Sequence, residues 1–453
     1  MMTPRIRTVL LAAALSAAAA LPATLRAAVP YELEERARDA MDRGAVWLAA
    51  RQQEDGAWGM PEAPAMTALA LHALHATAPE AYSEDIARAT AFVLSNAQPD
   101  GGIWCPPEPG RRGGGLANYN TAVCLSSLHA LGRPDLVPVL QRARTFLAGT
   151  QYADGPVRGG IGYDPNQPRP YADLSNSAMV YDAMRATEDL EDLRAAGDPR
   201  ADLDWTAVQD FLAQVQNLPS VNTNAWASDD PDDQGGFVYT PGAGPARGTG
   251  PGRPGGAGGP GRPGMGGPGR PGMPPPPADG AQPGPAPRAP ESSDSFQLPP
   301  DRPAPPPRAE AAPEAAPAPA AEPKVALRSY GSMTYAGLLS LIYANVSKDD
   351  PRVLAAQDWA AKHWTLDENP GQGPEGLYYF YTVLVKCLDA FGDDLVTLPD
   401  GTTVAWREAV VRKILSLQHD DGHWVNTNNR WWEADPTLVT SYAILALERA
   451  LGE

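Results

Sequence analysis

The chain has 453 residues and carries 36 Lys and Arg against 54 Asp and Glu, a formal net charge of −18. That balance excludes nucleic acid as the main partner and an anionic membrane surface as an electrostatic one, because both need a basic face. With 44 Gly and 50 Pro, part of the chain is not globular, while three cysteines without a CxxC pair exclude a disulfide-dense scaffold and a structural zinc cluster.

In chain order, the first predicted element is a leader. Arg5 and Arg7 precede the apolar run VLLAAALSAAAAL, the pattern of a secretory signal peptide within residues 1–28. Cleavage fits after Ala20 or near Ala28, and Arg26 and Pro30 come too soon for a membrane span. No later stretch is long and apolar enough to span. The mature chain is therefore expected outside the cytoplasm, periplasmic or secreted, with no membrane span once the leader is removed.

Residues 31–240 and 327–453 repeat one unit. Gln52-x3-Gly56-x-Trp58, Gln98-x3-Gly102-x-Trp104 and Gln418-x3-Gly422-x-Trp424 share a spacing. Gln151 leading to Gly160-Ile161-Gly162 and Gln216 leading to Gly235-Gly236-Phe237 are looser copies, and HWTLDENPGQGPEGLYYF is a sixth without the Gln. Ahead of each Gln runs an amphipathic helix. In SEDIARATAFVLSNAQ, Ser83 is the expected N-cap, and Asp350-Pro351 supplies a cap and first-turn proline for another. After each glycine loop comes a helix apolar nearly all round, at 64–76, 120–132, 175–184, 331–344, 376–391 and 436–451. A helix without a polar face is buried, so six outer helices should surround six inner ones in a closed ring.

Residues 241–326 interrupt the repeats. GRPG recurs at 252, 261 and 269, followed by PPPP at 274–277, PAPPP at 303–307 and alternating Ala-Pro. Such composition lacks the apolar side chains that offset ordering entropy, so an insert outside the packed domain is expected. It is either a tolerated surface insertion or a segment that docks a protein partner.

The Gln-x3-Gly-x-Trp repeat followed by a small-residue helix is similar to the squalene/terpene cyclase and protein prenyltransferase superfamily, over about 44–240 and 328–451. The resemblance implies an all-α fold, an α6/α6 toroid with its ligand cavity at the ring centre. It also implies two chemistries to look for. The cyclase acid motif DxDD-Thr-Ala is reduced at Asp173-Leu174-Ser175-Asn176-Ser177-Ala178 to its first Asp, and Asn118-Tyr119-Asn120-Thr121-Ala122 keeps only Thr-Ala. Ser and Asn cannot protonate an alkene. The literal Asp230-Pro231-Asp232-Asp233 falls in a loop and reads as a solvated turn, with calcium binding by Asp230, Asp232 and Asp233 as an alternative. The prenyltransferase zinc ligands would fall on Glu375-Gly376-Leu377-Tyr378 and on Val439 before Thr440-Ser441-Tyr442, where Leu377 and Val439 cannot bind a metal.

The first turns of the inner helices are expected to line the ring opening. Tyr119, Asn176, Tyr335 and Tyr379, with Trp431 and Trp432, are candidate ligand contacts: their rings suit an isoprenoid, a carbocation or a sugar, and also suit plain core packing. Asp173, Glu375 and Glu433 are the candidate catalytic acids. Glu375 and Glu433 come from neighbouring repeats and could pair as acid and base, while Asp173 is also explained as a helix cap, like Asp435 before Pro436. His72, His75 and His129 read as packing, and no metal is expected at His419 and His423, which flank Gly422. The leading expectation is a lipid-like or otherwise extended ligand at the ring centre. A terpenoid cyclase or transferase with altered acids, a carbohydrate-active toroid and an envelope scaffold remain open.

Overall fold

Segments that are apolar at every position should bury on all sides, and segments with a 3.6-residue stripe on one side only. The computed structural model follows this division. It describes residues 29–59, 64–107, 115–165, 170–241 and 327–452; the expected leader (1–28) and positions 242–326 of the expected insert lie outside them. By its contacts the chain divides into two units, Met1–Pro251 with Lys324–Glu453, and Gly252–Pro323. All the helices named here belong to the first.

The all-α class is shown: among the described residues the only sheet is a short antiparallel hairpin, β1 (Leu395–Thr397) with β2 (Thr403–Ala405), which sequence periodicity did not announce. The helices alternate in character. α2 (Pro64–Thr77), α4 (Ala117–His129), α6 (Leu174–Ala186), α8 (Gly331–Tyr343), α10 (Leu377–Phe391) and α12 (Pro436–Leu451) are the apolar ones. In α8 every residue from Gly331 to Leu341 is buried. α1 (Tyr31–Ala49), α3 (Ser83–Ser95), α5 (Val137–Ala148), α7 (Trp205–Val215), α9 (Pro351–Lys362) and α11 (Trp406–Ser416) bury one face; in α3 that face is Ile86, Ala89, Thr90 and Val93. Asp173, Asp350 and Asp435 cap α6, α9 and α12 as expected. Ser83 does not cap α3 but is its first residue, after Tyr82.

The apolar helices pack on one another in a cycle: α2 on α4, α4 on α6, α6 on α8, α8 on α10, α10 on α12, and α12 back on α2. The one-faced helices lie against them, α3 on α2, α5 on α4, α7 and α9 on α8, α11 on α12, and α1 on both α2 and α12.

The repeat motif is a set of interlocks. A glycine in the left-handed region abuts a carbonyl of the next one-faced helix at Gly56, Gly101, Gly159, Gly235 and Gly422, where an added Cβ would come within 2.6 Å or less of the oxygen. Beside it, a glutamine amide joins the loop to that helix. Gln52 donates to the Gly56 and Asp85 carbonyls (3.0 and 2.9 Å), Gln216 to Gly235 and Arg352 (2.9 and 2.8 Å), and Gln418 to Gly422 and Ala40 (both 2.8 Å). A hydroxyl on five of the six apolar helices, all but α10, then accepts a loop N–H: Thr67 from Trp58, Thr121 from Ile103, Ser177 from Ile161, Thr334 from Phe237 and Thr440 from Trp424.

These bonds correct one alignment made from spacing alone. Ile103, not Trp104, is the equivalent of Trp58 and Trp424, and Gly101, not Gly102, takes the left-handed position. Gln98 instead donates to the Asn96 and Trp104 carbonyls, and Trp104 is only half-buried where Trp58 and Trp424 are fully buried. Two adjacent glycines let the backbone choose a register that the side-chain spacing did not reveal.

Candidate functional site

Six apolar helices packed in a cycle must either fill their centre or leave a hole. They leave a cavity of about 340 Å³, to which every one contributes wall: Leu69, Ala122, Ala178, Leu339, Val383 and Leu445 are examples. That size lies within the range of small-molecule sites. Small side chains such as Ala122, Ala178 and Ala336 keep the space open. Tyr379 and Tyr442 present rings to it.

One part of the cavity is charged. Asp182, Lys386, Arg449 and His72 line it from the C-terminal halves of α6, α10, α12 and α2. The Asp182 carboxylate accepts from the Lys386 ammonium at 2.5 Å and the Tyr343 hydroxyl at 2.6 Å. Burial works to raise its pKa, but the Lys386 charge and these two hydrogen bonds prevail and hold it below the usual carboxylate range. Burial also lowers His72 to about 3, aided by Lys386, so at neutral pH it is an uncharged imidazole. Arg449 reaches Asp389 at 3.2 Å. A partly buried ion pair gains little stability once its desolvation is counted, which makes this cluster a functional candidate. The sequence expectation missed it by looking at the first helical turns. The available signal was a charge inside an otherwise apolar helix, as in SAMVYDAM, TVLVKCLD and ILALERAL.

The first turns build something else: a tyrosine cluster around a buried acid. Asp173 is fully buried, and its carboxyl accepts from the Asn176 backbone N–H (2.9 Å), the Asn176 amide (3.0 Å) and Tyr239. Burial outweighs these donors and pushes its pKa up to about 7. The Tyr163 and Tyr239 hydroxyls meet at 2.6 Å, Ser175 donates to the Tyr379 hydroxyl at 3.2 Å, and the Tyr119 and Tyr442 hydroxyls pair. Every phenol here is held above its ordinary pKa, by burial first and by the Asp173 charge in Tyr163, Tyr171 and Tyr239.

The remaining expected residues divide as follows. Among the named candidates Tyr379 lines the cavity; Tyr119, Asp173, Asn176, Tyr335, Glu375, Trp431, Trp432 and Glu433 do not. Tyr335 is buried against Phe380, ring centroids 5.8 Å apart. Glu375 and Glu433 have separate duties. Glu433 is fully buried, accepting from the Tyr379 N–H (2.8 Å) and the Asn426 amide (2.7 Å), and burial raises its pKa. Glu375 is partly exposed, 3.9 Å from Arg430. Trp431 and Trp432 are 49% and 47% exposed, both with left-handed backbone (φ 60° and 65°) that costs a bulky residue about 1–3 kcal/mol.

The Asp-Pro-Asp-Asp loop is more structured than a solvated turn. Asp233 is buried, accepting from Ser228 (2.5 Å) and the Ser329 N–H, while Asp230 pairs with Arg328 (2.8 Å) and Asp232 with Lys362 (2.7 Å). Arg328 also reaches Asp233 at 3.3 Å, so these carboxylates are already paired with Arg328 and Lys362 rather than grouped around a cation site. No group of three His, Cys, Asp or Glu among the described residues is arranged to hold a metal ion. None of the described helices is long and apolar enough to cross a membrane.

No family model and no curated protein matches the chain. Two solved structures that resemble it are variants of the type II terpene cyclase MstE from Scytonema. One, in complex with the product merosterolic acid A, is 13% identical; the other, with the substrate geranylgeranyl dihydroxybenzoate, is 11% identical. Each likeness covers 93% of this chain and 99% of the other, with a TM-score of 0.45. At that level neither carries a residue role over to this chain.

Proposed function

We propose that the chain is an exported α6/α6 toroid that binds one amphipathic molecule at its hub, the apolar part among the alanines and leucines of the wall and the polar end beside Lys386, Asp182 and Arg449. The observation that carries this reading is the cavity of about 340 Å³, walled by all six apolar helices and charged in one sector. Export rests on the Arg-led apolar run at residues 5–21.

The reading is of a binding protein rather than an acid-initiated cyclase. A general acid must reach the alkene it protonates, and Asp173, the remnant of the acid motif, lies outside the cavity wall.

The test is native mass spectrometry and fluorescent-probe displacement on the full mature chain, with geranylgeraniol and palmitic acid as the probes. Ala178→Trp or Ala336→Trp puts an indole into the hole and should weaken binding at least about tenfold. Unchanged binding in both variants, or binding of neither probe by the parent chain, would refute the hub as a ligand site.

A further inference from the structure

Away from the cavity, the loops that precede α6, α8 and α12 in the chain bring a row of rings together. Tyr171 and Tyr163 lie nearly parallel, 6.5 Å apart; Tyr163 is hydrogen-bonded to Tyr239; and Tyr239 packs on Trp431 at 5.9 Å, next in sequence to Trp432. All five rings are partly exposed. We propose that this row, Tyr171–Tyr163–Tyr239–Trp431–Trp432, is a binding track for an extended neutral glycan.

Three observations support the assignment. The track is built rather than incidental. Trp431 and Trp432 both hold a left-handed backbone, and the loop carrying them is pinned by buried groups. The Glu433 carboxylate ties it to α10, and the Asn426 amide bonds the Pro374 carbonyl at 2.7 Å. An unfavourable conformation persists only when its surroundings over-determine it, and such sites cluster where ligands bind.

The second observation is the placing of polar groups among the rings. Arg430 stacks over Trp431 at 4.6 Å with Glu375 beside it, and the Tyr163 and Tyr239 hydroxyls meet at 2.6 Å within the row. A pyranose ring offers an apolar face for stacking and hydroxyls around its edge, so it needs both kinds of group in alternation. Third, the fully buried Asp173 carboxyl accepts from the Tyr171 and Tyr239 hydroxyls, which fixes these two rings of the row in place. Nucleic-acid bases stack on rings as well, but a net charge of −18 repels a phosphate backbone.

The track is independent of the hub, so the two fail separately. The mature chain is run by affinity electrophoresis in gels containing hydroxyethyl cellulose, glucomannan or xylan, and in parallel is floated with phosphatidylcholine vesicles. Retardation by at least one polysaccharide is expected. Trp432→Ala, which removes a half-exposed ring, should weaken it about tenfold while leaving hub-probe binding and the unfolding midpoint in place. Tyr171→Ala at the far end should also weaken it, which guards against a local effect of the tryptophan loop. Retardation by none of the three, retardation indifferent to both variants, or flotation with vesicles abolished by Trp432→Ala would overturn the proposal.

Discussion

Replacing Asp173 with Asn isolates the electrostatics of the tyrosine-lined end. In the native chain the carboxyl has no cation among its hydrogen-bond partners, which are Asn176, the Ser175 N–H, Tyr171 and Tyr239. Its pKa is pushed up to about 7, against an ordinary value of 3.8. Between these two values the folded state keeps a proton that the unfolded state has released. Stability therefore falls as pH rises through the window, by about 1.4 kcal/mol per pH unit, and levels off above pH 7. From pH 4.5 to 7.5 the loss comes to about 3 kcal/mol. Asn keeps an acceptor for the Asn176 N–H but has no charge to desolvate. Urea denaturation of both proteins at half-unit steps, followed by tryptophan fluorescence, gives the difference in stability, from which the contributions of other titrating groups cancel. The variant should gain on the parent by about 3 kcal/mol across the window. A flat difference, or a variant that loses ground as pH rises, would show that the Asn176 and Tyr239 donors outweigh burial.

Two further substitutions probe the frame. Gln216→Ala removes an amide that bridges two buried carbonyls, at a residue 1% exposed, while relieving its own unpartnered oxygen; the net cost should be about 2 kcal/mol in chemical denaturation. The half-exposed Gln52 should cost less, and an equal loss at the two sites would contradict burial as the deciding factor. Arg144→Met leaves Glu191 buried with Arg194 as its remaining cation, and should cost about 3–5 kcal/mol at pH 7. Burial opposes ionisation of Glu191, but Arg194, the Ala201 N–H and Arg144 hold it down to about 2 against 4.5. That stabilisation is present above pH 4.5 and lost as pH falls towards 2, so the penalty of Arg144→Met should shrink between pH 7 and pH 3. An undiminished penalty at pH 3 would assign it to packing.

Much of the framework was legible in the linear chain, because burial periodicity is a local property. Runs such as GSMTYAGLLSLIYA have no polar face to turn to water, and Asp350-Pro351 and Asp435-Pro436 mark helix starts by cap chemistry alone. The recurring Gln and Gly also announced themselves, although what they do, reaching carbonyls some 30 to 380 residues away, is visible only in three dimensions. The register of the second repeat could not be read, since either Gly101 or Gly102 can adopt a positive φ, and the choice falls to the Arg142 carbonyl that Gly101 meets.

The site was the less legible part. Sequence logic placed the ligand at the first turns of the inner helices; the fold fills that end with tyrosines around Asp173 and leaves its space further along, where Asp182, Lys386 and Arg449 converge from α6, α10 and α12. Pattern and composition determine which faces avoid water, because each residue carries that preference with it. Where a hole remains, which acid is dry and which carboxylates share a partner depend on side chains brought together from distant helices, and only the packed structure decides those distances.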